Sequence, residues 1–81
     1  MTLNELKPGE KGVVEEITTS GSMRRRLQDI GIISGTEIEC AGRSSGGDPA
    51  SYFIKGAVIA LRDEDSRGVR LRAGGLEAEH E

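Results

Sequence analysis

Between Met23 and Cys40 the apolar spacing of the chain changes, and a glycine stands at the change. Met23, Leu27 and Ile30 fall at i, i+4 and i+7, which places them on one face of a helix. Arg24, Arg25, Gln28 and Asp29 fall on the other faces. Gly31 stands where a left-handed residue ends a helix, a conformation that only glycine enters at little steric cost. Ser34-Gly35 then signals a turn. Thr36, Ile38 and Cys40 alternate with Glu37 and Glu39, the period of a half-buried strand. A helix over about 22–30 must therefore fold back against a strand over about 36–43.

The rest of the chain supplies short strands for that helix to close onto. Leu3 and Leu6 make one helical turn, capped by Thr2, before Pro8-Gly9 stops it. Lys11 to Thr18 reads as a strand, but Val13, Val14 and Ile17 do not alternate cleanly. A β-bulge, which shifts the period by one residue, reconciles them. Ser20 or Ser22 is placed to cap the helix through its hydroxyl. Ser44 to Pro49 is a flexible loop. Ala50 to Lys55 is a third strand with Tyr52 and Ile54 on one face. Lys55-Gly56 makes a tight turn into a fourth strand, Ala57 to Arg62, with Ile59 and Leu61 sharing a face. Asp63 to Ser66 is an acidic or short helical turn, and Val69 to Arg72 closes the series with Arg70 and Arg72 outward. Residues 74–81 carry no apolar period and read as a disordered tail after a single domain over residues 1–73.

Five short strands and one helix inserted after the first predict a mainly β fold, a small closed or nearly closed barrel. Closure removes the sheet edges that so short a sheet cannot otherwise protect. With 81 residues, one Tyr, one Phe and no Trp, the core is thin and aliphatic.

Composition narrows function by exclusion. The formal net charge of -3 disfavours a general nucleic-acid binder. One cysteine makes no internal disulfide, and no apolar run reaches the length of a membrane span, so the expected location is the cytoplasm. The single His80 and single Cys40 lie in a tail and a strand, which is no nucleophile pair. Asp63 to Asp65 and the tail carboxylates read as solvated groups, not as a metal site, and no cofactor is implied. Arg24, Arg25 and Arg26 cannot form one flat patch, because three consecutive helical residues fan over about 200° to 300°. At least one stem is expected to pack along the surface while the others point outward.

Four segments resemble the FeoA family of small cytosolic proteins associated with bacterial ferrous-iron uptake. They are LKPGEKGVVEEI (Leu6 to Ile17), RRLQDIGIISGTEIE (Arg25 to Glu39), GDP with the strand after it (Gly47 to Ile54), and GAVIALRDEDSRGVRL (Gly56 to Leu71). The likeness spans about residues 2–72 in order and spacing. It departs at Ile33-Ser34, where the family often has a proline before Gly-Thr. It departs also in the Ser/Gly-rich loop from Arg43, and at Ser66-Arg67-Gly68, where the helical turn is expected to form poorly.

The resemblance implies an SH3-like small barrel with a helix after the first strand. It implies a non-enzymatic accessory that docks onto the cytosolic G domain of a membrane ferrous iron transporter. Candidate docking residues, expected near the surface, are Arg24, Arg25, Tyr52, Lys55 and Arg70. Leu27, Ile30, Gly31, Gly35, Ile38, Ile59 and Leu61 are expected to be structural, and Arg26 matches the family's Arg-Leu pair. The rival readings are a transition-metal-binding barrel and a nucleic-acid-binding barrel, the second suggested by Lys11-Gly12-Val13-Val14.

Overall fold

The computed structural model describes residues 1–72. A 3₁₀ turn over Leu3–Glu5 precedes strand β1 (Lys11–Ile17) and helix α1 (Gly21–Asp29). Strands β2 (Glu37–Arg43), β3 (Ala50–Ile54) and β4 (Ala57–Leu61) follow, then the one-turn helix α2 (Asp63–Ser66) and strand β5 (Val69–Arg72). The tail expected over residues 74–81, with His80, lies outside the described residues.

The five strands form one antiparallel sheet in the order β4-β3-β2-β1-β5. Its two outer strands are β4 and β5, so the small SH3-like barrel is open between them rather than closed by hydrogen bonds. The link from Leu61 to Val69, which contains α2, runs from one of these strands to the other.

The irregular apolar pattern of β1 has the expected cause. Its pairing with β5 shifts register between Val14 and Glu16, leaving Glu15 as the extra residue of a bulge. Gly12 and Val14 face inward before the bulge and Ile17 after it. A second shift lies between Cys40 and Gly42 in β2. Two bulges in neighbouring strands bend the sheet around one aliphatic core. Leu3, Leu6, Leu27, Ile32, Ile38 and Leu71 are among its fully or almost fully buried members, and Met23, Ile30 and Ile59 pack against its margin. Gly12 is buried because Leu71 lies over it: a Cβ there would stand 2.7 Å from Leu71 Cδ1.

Helix α1 buries a narrow stripe, of which only Leu27 is wholly enclosed. Ile32, two residues past the helix end, supplies the other large apolar side chain. Gly31 makes this possible, with φ +103° turning the chain so that Ile32 N–H donates to the Leu27 carbonyl. Thr36 Oγ1 donates to the Gly31 carbonyl at 3.1 Å, and Gly35 N–H donates to Val14 at 2.8 Å, fastening the turn to β1.

Three expectations need correction. Ser20 occupies the N-cap of α1 but makes no side-chain capping bond. The Ser66-Arg67-Gly68 turn is well formed: Ser66 is fully buried, its hydroxyl donates to the Asp63 carbonyl, and Arg67 pairs with Asp63 at 3.2 Å. Tyr52, expected at the surface as a docking residue, is fully buried. It shares the inward face of β3 with Ala50 and Ile54, and the curvature of the sheet encloses its polar tip as well as its ring.

Gly31→Val places a β-branched residue at positive φ and is expected to cost about 2 kcal/mol. That lowers the melting temperature by roughly 8–16 °C for a domain of this size. Gly42→Ala, at a site with open space and no positive φ, is expected to change stability by less than about 0.5 kcal/mol. Thermal melts of the two variants check the ranking.

Candidate docking surface

Strand directions gather the connections at two ends of the sheet. The C-terminal ends of β1 and β3 and the N-terminal ends of β2, β4 and β5 lie at one end, which carries α1 and the Lys55-Gly56 turn. Arg24, Arg25 and Lys55 are all exposed there, and Arg70 lies near the start of β5. Topology thus brings four of the five candidate residues to one end and leaves Tyr52 in the core.

The four cations differ in their freedom. Arg24 is a tether: its Nη1 donates to the Ile17 carbonyl at 2.9 Å, satisfying the last carbonyl of β1 and fixing the first turn of α1 against it. Arg70 is neutralised: its Nη2 lies 2.9 Å from Glu16 Oε2 and its Nε 3.6 Å from Glu15 Oε1. Arg25 and Arg26 have no charged or hydrogen-bonded side-chain partner among the described residues. Arg26 therefore joins the outward cations rather than the structural group. Lys55 holds φ 51° in the left-handed region, and with Gly56 at φ 84° it builds the primed two-residue turn that suits a twisted hairpin. Its stem lies over Gly31, where a Cβ would meet Lys55 Cδ at 3.3 Å, so its ammonium rises from the end of α1. Arg25 and Arg26 precede Gly31 by about 8–9 Å along the helix axis. Among the described residues, Arg25, Arg26 and Lys55 are left without an ion-pair partner on this rim of an acidic protein, and Ile33 is also exposed.

At the opposite end one residue does more than its sequence context suggests. Arg43 Nη2 donates to the carbonyls of Asn4 and Leu6 at 2.6 and 2.8 Å, and Nη1 donates to Gly47 at 3.2 Å. Three backbone acceptors on two loops converge on one guanidinium, a geometry that needs its planar fork. No local motif announces such a role, because the acceptors are carbonyls far away in sequence. Among the described residues, no three His, Cys, Asp or Glu side chains come together to hold a metal ion. No described helix is long and apolar enough to cross a membrane.

The Tyr52 hydroxyl is buried, and no bond of good geometry reaches it among the described residues. Burial raises its pKa above the ordinary phenol value, and the neighbouring Ser66 hydroxyl and Arg43 guanidinium oppose the shift without cancelling it.

This is a small, mainly β SH3-like domain. Residues 1–73 match the FeoA domain family, and the chain belongs to it. It is 28% identical to the FeoA of Stenotrophomonas maltophilia, an SH3 domain protein solved in complex with zinc, with a TM-score of 0.84 over 93% of each chain. It is 30% identical over 74 residues to an Fe(2+) transport protein A/Fe(2+) transporter FeoB fusion protein of Porphyromonas gingivalis. It is also 34% identical over 71 residues to a DegP-like periplasmic serine endoprotease of Ectopseudomonas mendocina. These two matches take in 88% and 85% of this chain but only 8% and 15% of the respective relatives.

The buried phenol has a consequence for stability at high pH. A proton acid whose folded pKa lies above its unfolded value near 10 binds more protons folded than unfolded above that pH. Stability is then full below pH 10 and falls as pH rises toward the folded pKa. Tyr52→Phe is expected to leave stability at pH 7 unchanged or raised by up to about 1 kcal/mol, since it removes a buried hydroxyl without a good partner. It should also flatten the alkaline loss. Arg43→Ala strips three carbonyls of their donor and is expected to cost about 2–3 kcal/mol. Urea melts at pH 7 and at pH above 10 read both effects.

Proposed function

We propose that this protein is a non-enzymatic accessory of bacterial ferrous iron transport, acting in the cytoplasm. It docks by protein–protein contact onto the cytosolic G domain of a membrane iron transporter. One observation carries the reading: the chain belongs to the FeoA family over residues 1–73, and in the relative from P. gingivalis an FeoA part and the FeoB transporter share one chain. Covalent fusion places two modules at a high effective concentration, an arrangement suited to partners that bind each other weakly.

The unpaired rim supplies the contact. Arg25 and Lys55 offer charge on a firm scaffold, since α1 is tethered at its start by Arg24 and its end is covered by the Lys55 stem. An acidic surface on the transporter is the complementary chemistry. Arg70, already paired with two carboxylates, has less charge to offer and is a weaker candidate. Tyr52 has no part in it.

Calorimetric titration of the protein into the isolated cytosolic part of the transporter tests this at two salt concentrations. Binding should weaken as salt rises. Arg25→Glu should lower affinity roughly tenfold, about 1.4 kcal/mol, with no loss of thermal stability. Absence of binding in every nucleotide state, with iron uptake intact after deletion of the gene, would sink the proposal.

A further inference from the structure

The net charge of the chain is unevenly placed. All 11 Lys and Arg residues lie within residues 1–72. Of the 14 Asp and Glu residues, Glu77, Glu79 and Glu81 lie beyond them. The described residues are therefore formally neutral, and the net charge of -3 belongs to the segment 73–81. That segment reads AGGLEAEHE and holds no Lys or Arg. Its glutamates alternate with Ala78 and His80, a spacing that in extended backbone sets three carboxylates on one side, about 7 Å apart.

The folded part offers the opposite charge in one place. Four of its cations are engaged: Arg24 and Arg43 on carbonyls, Arg67 with Asp63, and Arg70 with Glu15 and Glu16. Lys11 stands opposite Glu39 in the pairing of β1 with β2. Lys7 lies between Glu5 and Glu10, and Arg62 is followed by Asp63, Glu64 and Asp65. Arg72 is a single charge opposite Val13. At the α1 end, by contrast, Arg25, Arg26 and Lys55 share one rim with no ion-pair partner among the described residues. Even Asp29, four residues past Arg25, makes no ion pair with it there.

Reach allows the two charge groups to meet. Strand β5 ends away from α1, so the chain that follows has to return along the strand. The four residues of β5 measure about 13 Å, whereas residues 73–81 can extend over about 30 Å. Gly74-Gly75 permits the reversal. Because the segment is tethered, its carboxylates stay near the rim at an effective concentration of about a millimolar.

We infer that residues 77–81 dock on the α1 rim, Glu77, Glu79 and Glu81 facing Arg25, Arg26 and Lys55, so that an acidic partner must displace them. The segment is a competitor for the docking site, carried on the same chain. Contacts between exposed charges are individually weak and are screened by salt. Occupancy of about two-thirds at low salt lowers the apparent affinity for a partner about threefold. The contact itself does not depend on the transporter reading, whereas the competition rests on it.

Two measurements on the full chain test this. The first places a spin label on Ala78→Cys, the buried Cys40 being out of the reagent's reach. The label should broaden the amides of Arg25, Arg26 and Lys55 more than those of Lys11 and Arg62. Salt at about 0.5 M, where screening acts within about 4 Å, should remove the effect. Glu77→Gln, Glu79→Gln and Glu81→Gln together should remove it too. Broadening confined to Arg72 and its neighbours, or unchanged by salt and by the triple variant, would overturn the contact.

The second measurement is calorimetric titration into the transporter's cytosolic part. The triple variant should bind about threefold tighter at low salt and equally at about 0.5 M. With Arg25→Gln and Lys55→Gln also present, the same three changes should gain nothing. Equal affinity at low salt, or a gain that persists in that background, would overturn the competition. If neither form binds, the docking reading falls, and the spin label still decides the contact.

Discussion

Strand β1 has to serve two neighbours that lie on opposite sides of it. Its first half pairs with β2 and its second half with β5, and it must present apolar side chains to the same core throughout. A regular strand in a sheet this strongly bent cannot hold that phase. The bulge at Glu15 resets it, so that Gly12, Val14 and Ile17 all face inward. The same device sends Glu15 and Glu16 outward in succession. Both meet Arg70 on β5, and this is why Arg70 is no longer a free cation. A feature that serves the core thus decides which surface charges remain for a partner.

Helix α1 closes one end of this sheet with very little apolar area of its own. Hydrophobic burial scales with area, and one enclosed leucine contributes only about 1.5–3 kcal/mol. The helix is held instead by what surrounds it. Arg24 binds the end of β1, Gly31 turns Ile32 into the core, and Thr36 and Gly35 fasten the following turn back to the helix end and to β1. Such a helix is stiff at its ends, where backbone bonds anchor it, and its outward arginines ride on that frame. Docking surfaces profit from this, since less side-chain and loop entropy is lost on binding.

Much of this was legible in the residues. The change of period at Gly31, the bulge implied by Val13, Val14 and Ile17, and the Lys55-Gly56 turn are local signals with local causes, and each appears where expected. Failures came where the cause is distant. Tyr52 shares the face of Ile54, which argues for burial, yet it stood among the docking residues expected near the surface. Only the curvature of the whole sheet decides between them. Arg43 ends β2 just before a loop of Ser and Gly, and nothing nearby reveals that two of its partners are carbonyls 37 and 39 residues away. Strand order likewise has no local signature. The sheet is open between β4 and β5, and among the described residues only the β5 edge is covered, by the N-terminus.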